Sequence, residues 1–229
     1  MRIFAIDTAL EACSAAVLDT GRGAILAQES RPMARGHAEA LMPMIKRVLD
    51  IARLDFAAID RIAVTTGPGS FTGLRVGIAA ARGFALAAGK PAVGLSTLPA
   101  FAAPFIAADD TVPVVAAIDA RHDHVYLQVV GPGGRTLFAP RLTPLREALR
   151  VSATIGGAPR IVGTAANLLA AGWPSGERPP AAVEQRGAPD IGWVARLGAA
   201  ASETGLPPKP LYLRAPDAQP QDAAQLARR

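Results

Sequence analysis

"FAIDTALEACSAAVLDTGRGAILA", residues 4–27, decides the fold because the chain repeats it. The second copy is "AAIDARHDHVYLQVVGPGGRTLFA", residues 116–139. Asp7 aligns with Asp119, 112 positions on, and the same spacing pairs Ile6 with Ile118, Val17 with Val129, Gly21 with Gly133 and Ala27 with Ala139. Each copy reads as strand, tight turn, strand, glycine-rich hairpin turn, strand. A fixed offset held across three strands and two turns indicates an internal duplication.

Beyond each copy the apolar period changes from two to nearly four. Ala38, Leu41, Met42, Ile45, Val48, Leu49 and Ala52 predict a helix over 35–53, which Pro43 should kink or start late. "RIAVTTG" reads as a buried strand, residues 71–88 as a second helix, "PAVGL" as a strand and 96–107 as a third helix. In the second half, a helix at 143–150, the strand "RIVG" and a helix at 165–171 come next. "GWPSGERPPAAVEQRGAPD" reads as a Pro/Gly-rich loop, and 190–203 as a last helix. The expected class is α/β, with lobes at 1–110 and 111–215 and a loose tail at 216–229. A three-strand meander followed by alternating helices and strands, used twice, resembles the actin, sugar-kinase and Hsp70-ATPase (ASKHA) architecture. That resemblance implies nucleotide between the lobes, faced by the acid that ends the first strand.

Of 229 residues, half are hydrophobic, which is enough for a substantial core. The net charge of +5 comes mostly from scattered arginines, so direct nucleic-acid binding is permitted but not indicated. Cys13 is the only cysteine, which suits a reducing compartment, and it reads as a small buried hydrophobe. The apolar run Val76–Ala88 is interrupted by Arg82 and is too short to span a bilayer; Asp7 breaks the first apolar run before any signal-peptide pattern forms. A cytoplasmic protein with no membrane contact is expected.

The candidate nucleotide cleft is Asp7, Thr8, Ser14 and Asp119. It reads as vestigial, because no glycine comes after Asp7 before Gly21 and "DARHDH" has none after Asp119, so backbone N–H groups are poorly placed to approach phosphate. "TTGPGSFTGLRVG", residues 65–77, is not a Walker loop, since Leu74 and Arg75 come after Gly73. It is not a dinucleotide fingerprint either, since the third glycine comes one residue late. In the helix beyond it, Gly73, Gly77 and Ala81 form a stripe of small residues. Each glycine there costs about 1 kcal/mol relative to alanine, so close packing must offset it. The close neighbour is either this domain's own sheet or a helix of another chain.

"MRIFAIDTALEACSAAV", "HAEALMPMI", "TTGPGSFTGLRVGIAAARGFA" and "PLYLRAPDA" together resemble the TsaB/YeaZ family of bacterial tRNA threonylcarbamoyladenosine biosynthesis proteins, from Met1 to about Ala218. The resemblance implies a non-catalytic scaffold, without cofactor, that pairs with a TsaD-like catalytic paralogue. A TsaE-like ATPase joins, and tRNA is reached through the complex; the uncharged stripe around Gly73 and Gly77 on an open apolar helix face further predicts a homodimer of the free chain. The resemblance implies a helical partner face of His37, Leu41, Met42, Ile45, Phe71, Gly73, Leu74, Gly77, Ile78 and Ala81, with Ser70 capping the second helix. His37 has Leu41 four residues on, where a metal-binding pair needs histidine, and His122 and His124 lack a third ligand nearby, so no metal is expected. The alternative is a free-standing ATPase or small-molecule kinase of the same fold.

Overall fold

The computed structural model describes residues 1–203 and 205–213. The predicted tail, and the end of "PLYLRAPDA" from residue 214, lie outside the described residues. The first half runs β1 (Arg2–Asp7), β2 (Ala12–Asp19), β3 (Ala24–Pro32), α1 (His37–Ala52), β4 (Arg61–Gly67), α2 (Phe71–Ala88), β5 (Ala92–Ser96) and α3 (Thr97–Ala108). The second runs β6 (Val114–Asp119), β7 (His124–Val130), β8 (Thr136–Pro144), α4 (Leu145–Thr154), β9 (Arg160–Gly163), α5 (Ala166–Ala171), β10 (Ala182–Gln185) and α6 (Ile191–Ala200). The two sheets have one topology, β3-β2-β1-β4-β5 and β8-β7-β6-β9-β10, with antiparallel meanders and parallel β1–β4, β4–β5, β6–β9 and β9–β10 pairs. β6 begins and ends 112 residues after β1, which is the spacing of the sequence repeat.

Each sheet is covered on both faces, so its central strands are apolar throughout. On β1, Phe4 and Ile6 join the core under α1 and α2, while Ile3 and Ala5 face Ile191, Val194 and Ala195 of α6. On β6, Val115 and Ala117 pack with α4 and α5, while Val114, Ala116 and Ile118 meet Leu98 and Phe101 of α3. The third helices are therefore exchanged: α3 of the first half lies on the second sheet, and α6 of the second half lies on the first.

Three expectations need correction. α1 runs unbroken through Pro43 from His37, so there is no late start. Pro43 is exposed, so the carbonyl that loses its helical partner can turn to water. Its buried stripe is His37, Leu41, Met44, Ile45 and Val48, which leaves Ala38 and Met42 outside. The Pro/Gly-rich loop contains the short edge strand β10, paired with β9. Finally, the apolar run continues back to Phe71, and α2, at 18 residues with mean hydropathy 1.2, is long and apolar enough to cross a membrane. In this fold it lies on β4 with Leu74, Ile78 and Ala81 buried, and Arg75 and Arg82 are exposed.

Candidate functional site

The expected nucleotide-facing residues sit at the turn between β1 and β2. Asp7 ends β1 fully buried; its Oδ1 accepts from the Ala9 N–H at 3.0 Å and from the Thr65 hydroxyl, and Oδ2 finds no protein partner. Burial pushes its pKa up, against the lowering pull of the Thr65 hydroxyl, the Ala9 N–H and the charge of His37. Thr8 donates its hydroxyl to the Gly73 carbonyl at 2.7 Å. The Ser14 and Ser30 hydroxyls lie 2.8 Å apart. Cys13 is buried, as a small hydrophobe should be, and burial together with the Asp7 and Glu29 carboxylates pushes its thiol up to about 11.

The segment 65–77 lies directly on this turn. The Ser70 N–H donates to the Ala9 carbonyl at 2.7 Å, and the Ser70 hydroxyl caps α2 by accepting from the Gly73 N–H. A Cβ on Gly73 would run into the Thr8 carbonyl, and one on Gly77 would come within 2.5 Å of Thr8 Oγ1, with Val64 and Ile6 in van der Waals contact beside it. The glycines thus let α2 settle onto the β1–β2 turn. From the other side, the Glu11 N–H donates to Gly187 O at 3.0 Å, and the imidazole Nε2 of His37 lies 3.1 Å from the Leu10 carbonyl. Asp7, Thr8 and Ser14 are shut off from solvent, so the geometry around them does not fit a bound nucleotide.

The matching turn of the second copy stands open. Asp119 Oδ1 accepts from the Arg121 N–H at 2.7 Å, the counterpart of Asp7 with Ala9, but Asp119 is exposed. Arg121, His122 and Asp123 hold φ of 61°, 50° and 56° in succession, a left-handed run of three non-glycine residues. The imidazole Nδ1 of His124 lies 2.6 Å from the His122 carbonyl. Among the described residues, no three His, Cys, Asp or Glu side chains gather to hold a metal.

The residues expected at a partner face are redistributed. His37, Leu41, Ile45, Gly73, Leu74, Gly77, Ile78 and Ala81 are buried within the chain's own fold, and the small-residue stripe packs on β1 and β4. This corrects the placing of the glycine stripe on a partner face: a stripe fits a sheet as well as a helix, and here the sheet is closer. Met42 and Phe71 remain exposed. Sequence reading missed the groove that Met42 borders. This cleft of about 430 Å³ between α1 and α2 is lined chiefly by Ile45, Leu49, Phe56, Phe84 and Ala87, with Lys46 at its rim. Phe56 and Phe84 stack in it with ring centroids 4.5 Å apart. The unusual apolar content on the outer side of α2, Phe84 and Ala87 beyond the core positions, was the available signal.

A family model described as TsaD, tRNA N6-adenosine threonylcarbamoyltransferase, matches residues 28–160, more than half of the chain. The chain is 40% identical over 126 residues to the tRNA threonylcarbamoyladenosine biosynthesis protein TsaB of Escherichia coli, a match covering 55% of this chain and 53% of that protein. It is 34% identical over 218 residues to an uncharacterized Mycobacterium tuberculosis protein, covering 95% and 94%. The match thus spans about half the length of the TsaB relatives but nearly all of the mycobacterial one. The solved structure of YeaZ from Pseudomonas aeruginosa superposes with a TM-score of 0.76 at 28% identity, over 93% of this chain and 99% of that one.

Proposed function

Since the chain belongs to the tRNA N6-adenosine threonylcarbamoyltransferase (TsaD) family, as one of its TsaB/YeaZ-like members, we propose that it is a non-catalytic subunit in the threonylcarbamoylation of adenine in tRNA. Its partner is a TsaD-like catalytic paralogue, and a TsaE-like ATPase joins the pair in the cytoplasm. The observation that carries the scaffold role is the apolar groove between α1 and α2, where Met42 is 54% exposed and the Phe56–Phe84 stack lies open to a docking helix. Apolar surface of this kind is stabilised by a second helical pair, and in the free chain by a second copy of itself. The burial of Asp7, Thr8 and Ser14 supports the non-catalytic assignment: all three side chains are closed to solvent, Thr8 is bonded to α2, Asp7 to Thr65 and Ser14 to Ser30.

Calorimetric titration against the TsaD-like paralogue of the same organism tests this reading. Met42→Glu places a charge in the groove at an exposed position, so it should leave the melting temperature unchanged. It should weaken partner binding by about 2 kcal/mol, as disruption of a central contact does. Undiminished binding would move the interface elsewhere. ATP turnover by the purified chain that vanishes in Asp7→Ala would favour the kinase or ATPase alternative instead.

A further inference from the structure

The opposite flank of α2 has a different chemistry. Phe71, Arg75, Ala79, Arg82 and Leu86 are exposed along one stripe, away from the groove formed with α1. Residues 205–213 lie alongside it. The Leu211 N–H donates to the Thr66 carbonyl at 2.7 Å, and Pro210 closes a cavity with Arg75, Ala79 and Arg82. The Tyr212 ring sits 5.4 Å from that of Phe71, whose other neighbour is the Arg75 guanidinium, 3.7 Å from the ring centroid. The result is a contiguous cluster of guanidinium, phenyl and phenol, with the two rings tilted by 30° and Phe71 and Tyr212 each 44% exposed. Neither α2 nor residues 205–213 contain Asp or Glu, while they carry Arg75, Arg82 and Lys209, with Lys90 just past the helix. Glu203, which lines the adjoining cavity, is paired with Arg61.

We propose that this flank binds single-stranded RNA, with phosphates on Arg75, Arg82, Lys209 and Lys90 and a base stacking on the exposed Tyr212 ring. Phosphate-binding cations beside exposed aromatic rings are the general means of holding unpaired nucleotides. An acidic protein segment would use the cations but not the exposed rings, so RNA is the better match. The inference rests on the tRNA-modification reading for the source of the RNA. Because the two flanks lie on opposite sides of α2, the RNA and the partner can be held together.

The test is fluorescence anisotropy of a labelled, adenine-containing single-stranded RNA dodecamer titrated with the full chain between 50 and 200 mM salt (roughly the range over which phosphate contacts are lost). Affinity should fall with salt at a log–log slope of about −0.7 per phosphate, hence near −3 for four cations. Arg82→Glu and Lys209→Glu, both at exposed positions, should each flatten the slope by about 0.7 while melting like the parent. Tyr212→Ala should weaken binding about fivefold or more with the slope unchanged, the cost of losing one stacked base. No saturable binding at low salt, or binding indifferent to both charge reversals, overturns the proposal. So does displacement of the RNA by polyglutamate at equal charge, which would assign the flank to an acidic protein. Failure here leaves partner capture through the groove untouched, and failed capture with RNA binding intact would count against the scaffold reading alone.

Discussion

The β1–β2 and β6–β7 turns are the same turn in two settings. Both begin with an aspartate whose Oδ1 accepts from the N–H two residues on. One is sealed, with Thr8 bonded to α2, and the other stands open with three residues in the left-handed region. The helix after the fourth strand also differs between the halves. After β4, an 18-residue helix enters with glycines on its inner face and settles on Thr8. After β9, the six-residue α5 starts at Ala166, and Asp119 keeps only a hydrogen bond from its own N–H to the Thr164 hydroxyl on that side. Duplication preserved the strands and the aspartates; in the first half α2 closes on Thr8 and the Thr65 hydroxyl closes on Asp7.

The harshest way to break this contrast is Gly77→Leu. An isobutyl group has no room between Thr8, Val64 and Ile6, so the change should cost about 3 kcal/mol by overpacking, outweighing leucine's ~0.8 kcal/mol gain in helix propensity. Urea unfolding would measure it, and a variant as stable as the parent would mean that the stripe faces outward. Asp7→Ala comes next. It strands the buried Ala9 N–H and Thr65 hydroxyl and should cost about 2 kcal/mol. The same carboxyl gives the fold a pH signature. Its pKa is raised on folding, so its contribution to stability is complete below the ordinary aspartate range and is lost as pH climbs through the raised value. Unfolding midpoints of the parent should decline over that interval, and Asp7→Asn should flatten the decline. Ser70→Ala removes the cap of α2 and should cost about 1 kcal/mol. Smallest of all, Asp119→Ala should stay within about 0.5 kcal/mol, because water replaces an exposed turn bond. Equal penalties for Asp7→Ala and Asp119→Ala would erase the distinction between the turns.

Much of this arrangement was legible in the residues. The repeat spacing located both meanders, and Ser70 with its glycine-rich entry marked the start of α2, because caps and alternation are written locally. β10 was hidden because four residues among prolines carry too little period to register. The glycine stripe was ambiguous because an absent side chain says that something comes close but not what. At the site, Met42 could be read as a partner contact, but it could not be separated from Leu41 and Ile45, which the fold turns inward. The groove itself needs Phe56 and Phe84 from separate segments, and their meeting is a tertiary fact.

The exchange of α3 and α6 sets the order in which the molecule can mature on the ribosome. β1, complete by residue 7, keeps Ile3 and Ala5 bare on one face until Ile191, Val194 and Ala195 have been synthesised. At translation rates of roughly 5–20 residues per second, that face waits on the order of ten seconds or more. The chain therefore cannot be divided near residue 110 into two self-sufficient proteins. A fragment ending there would emerge with an uncovered sheet, and only the addition of the second fragment in trans would cover it.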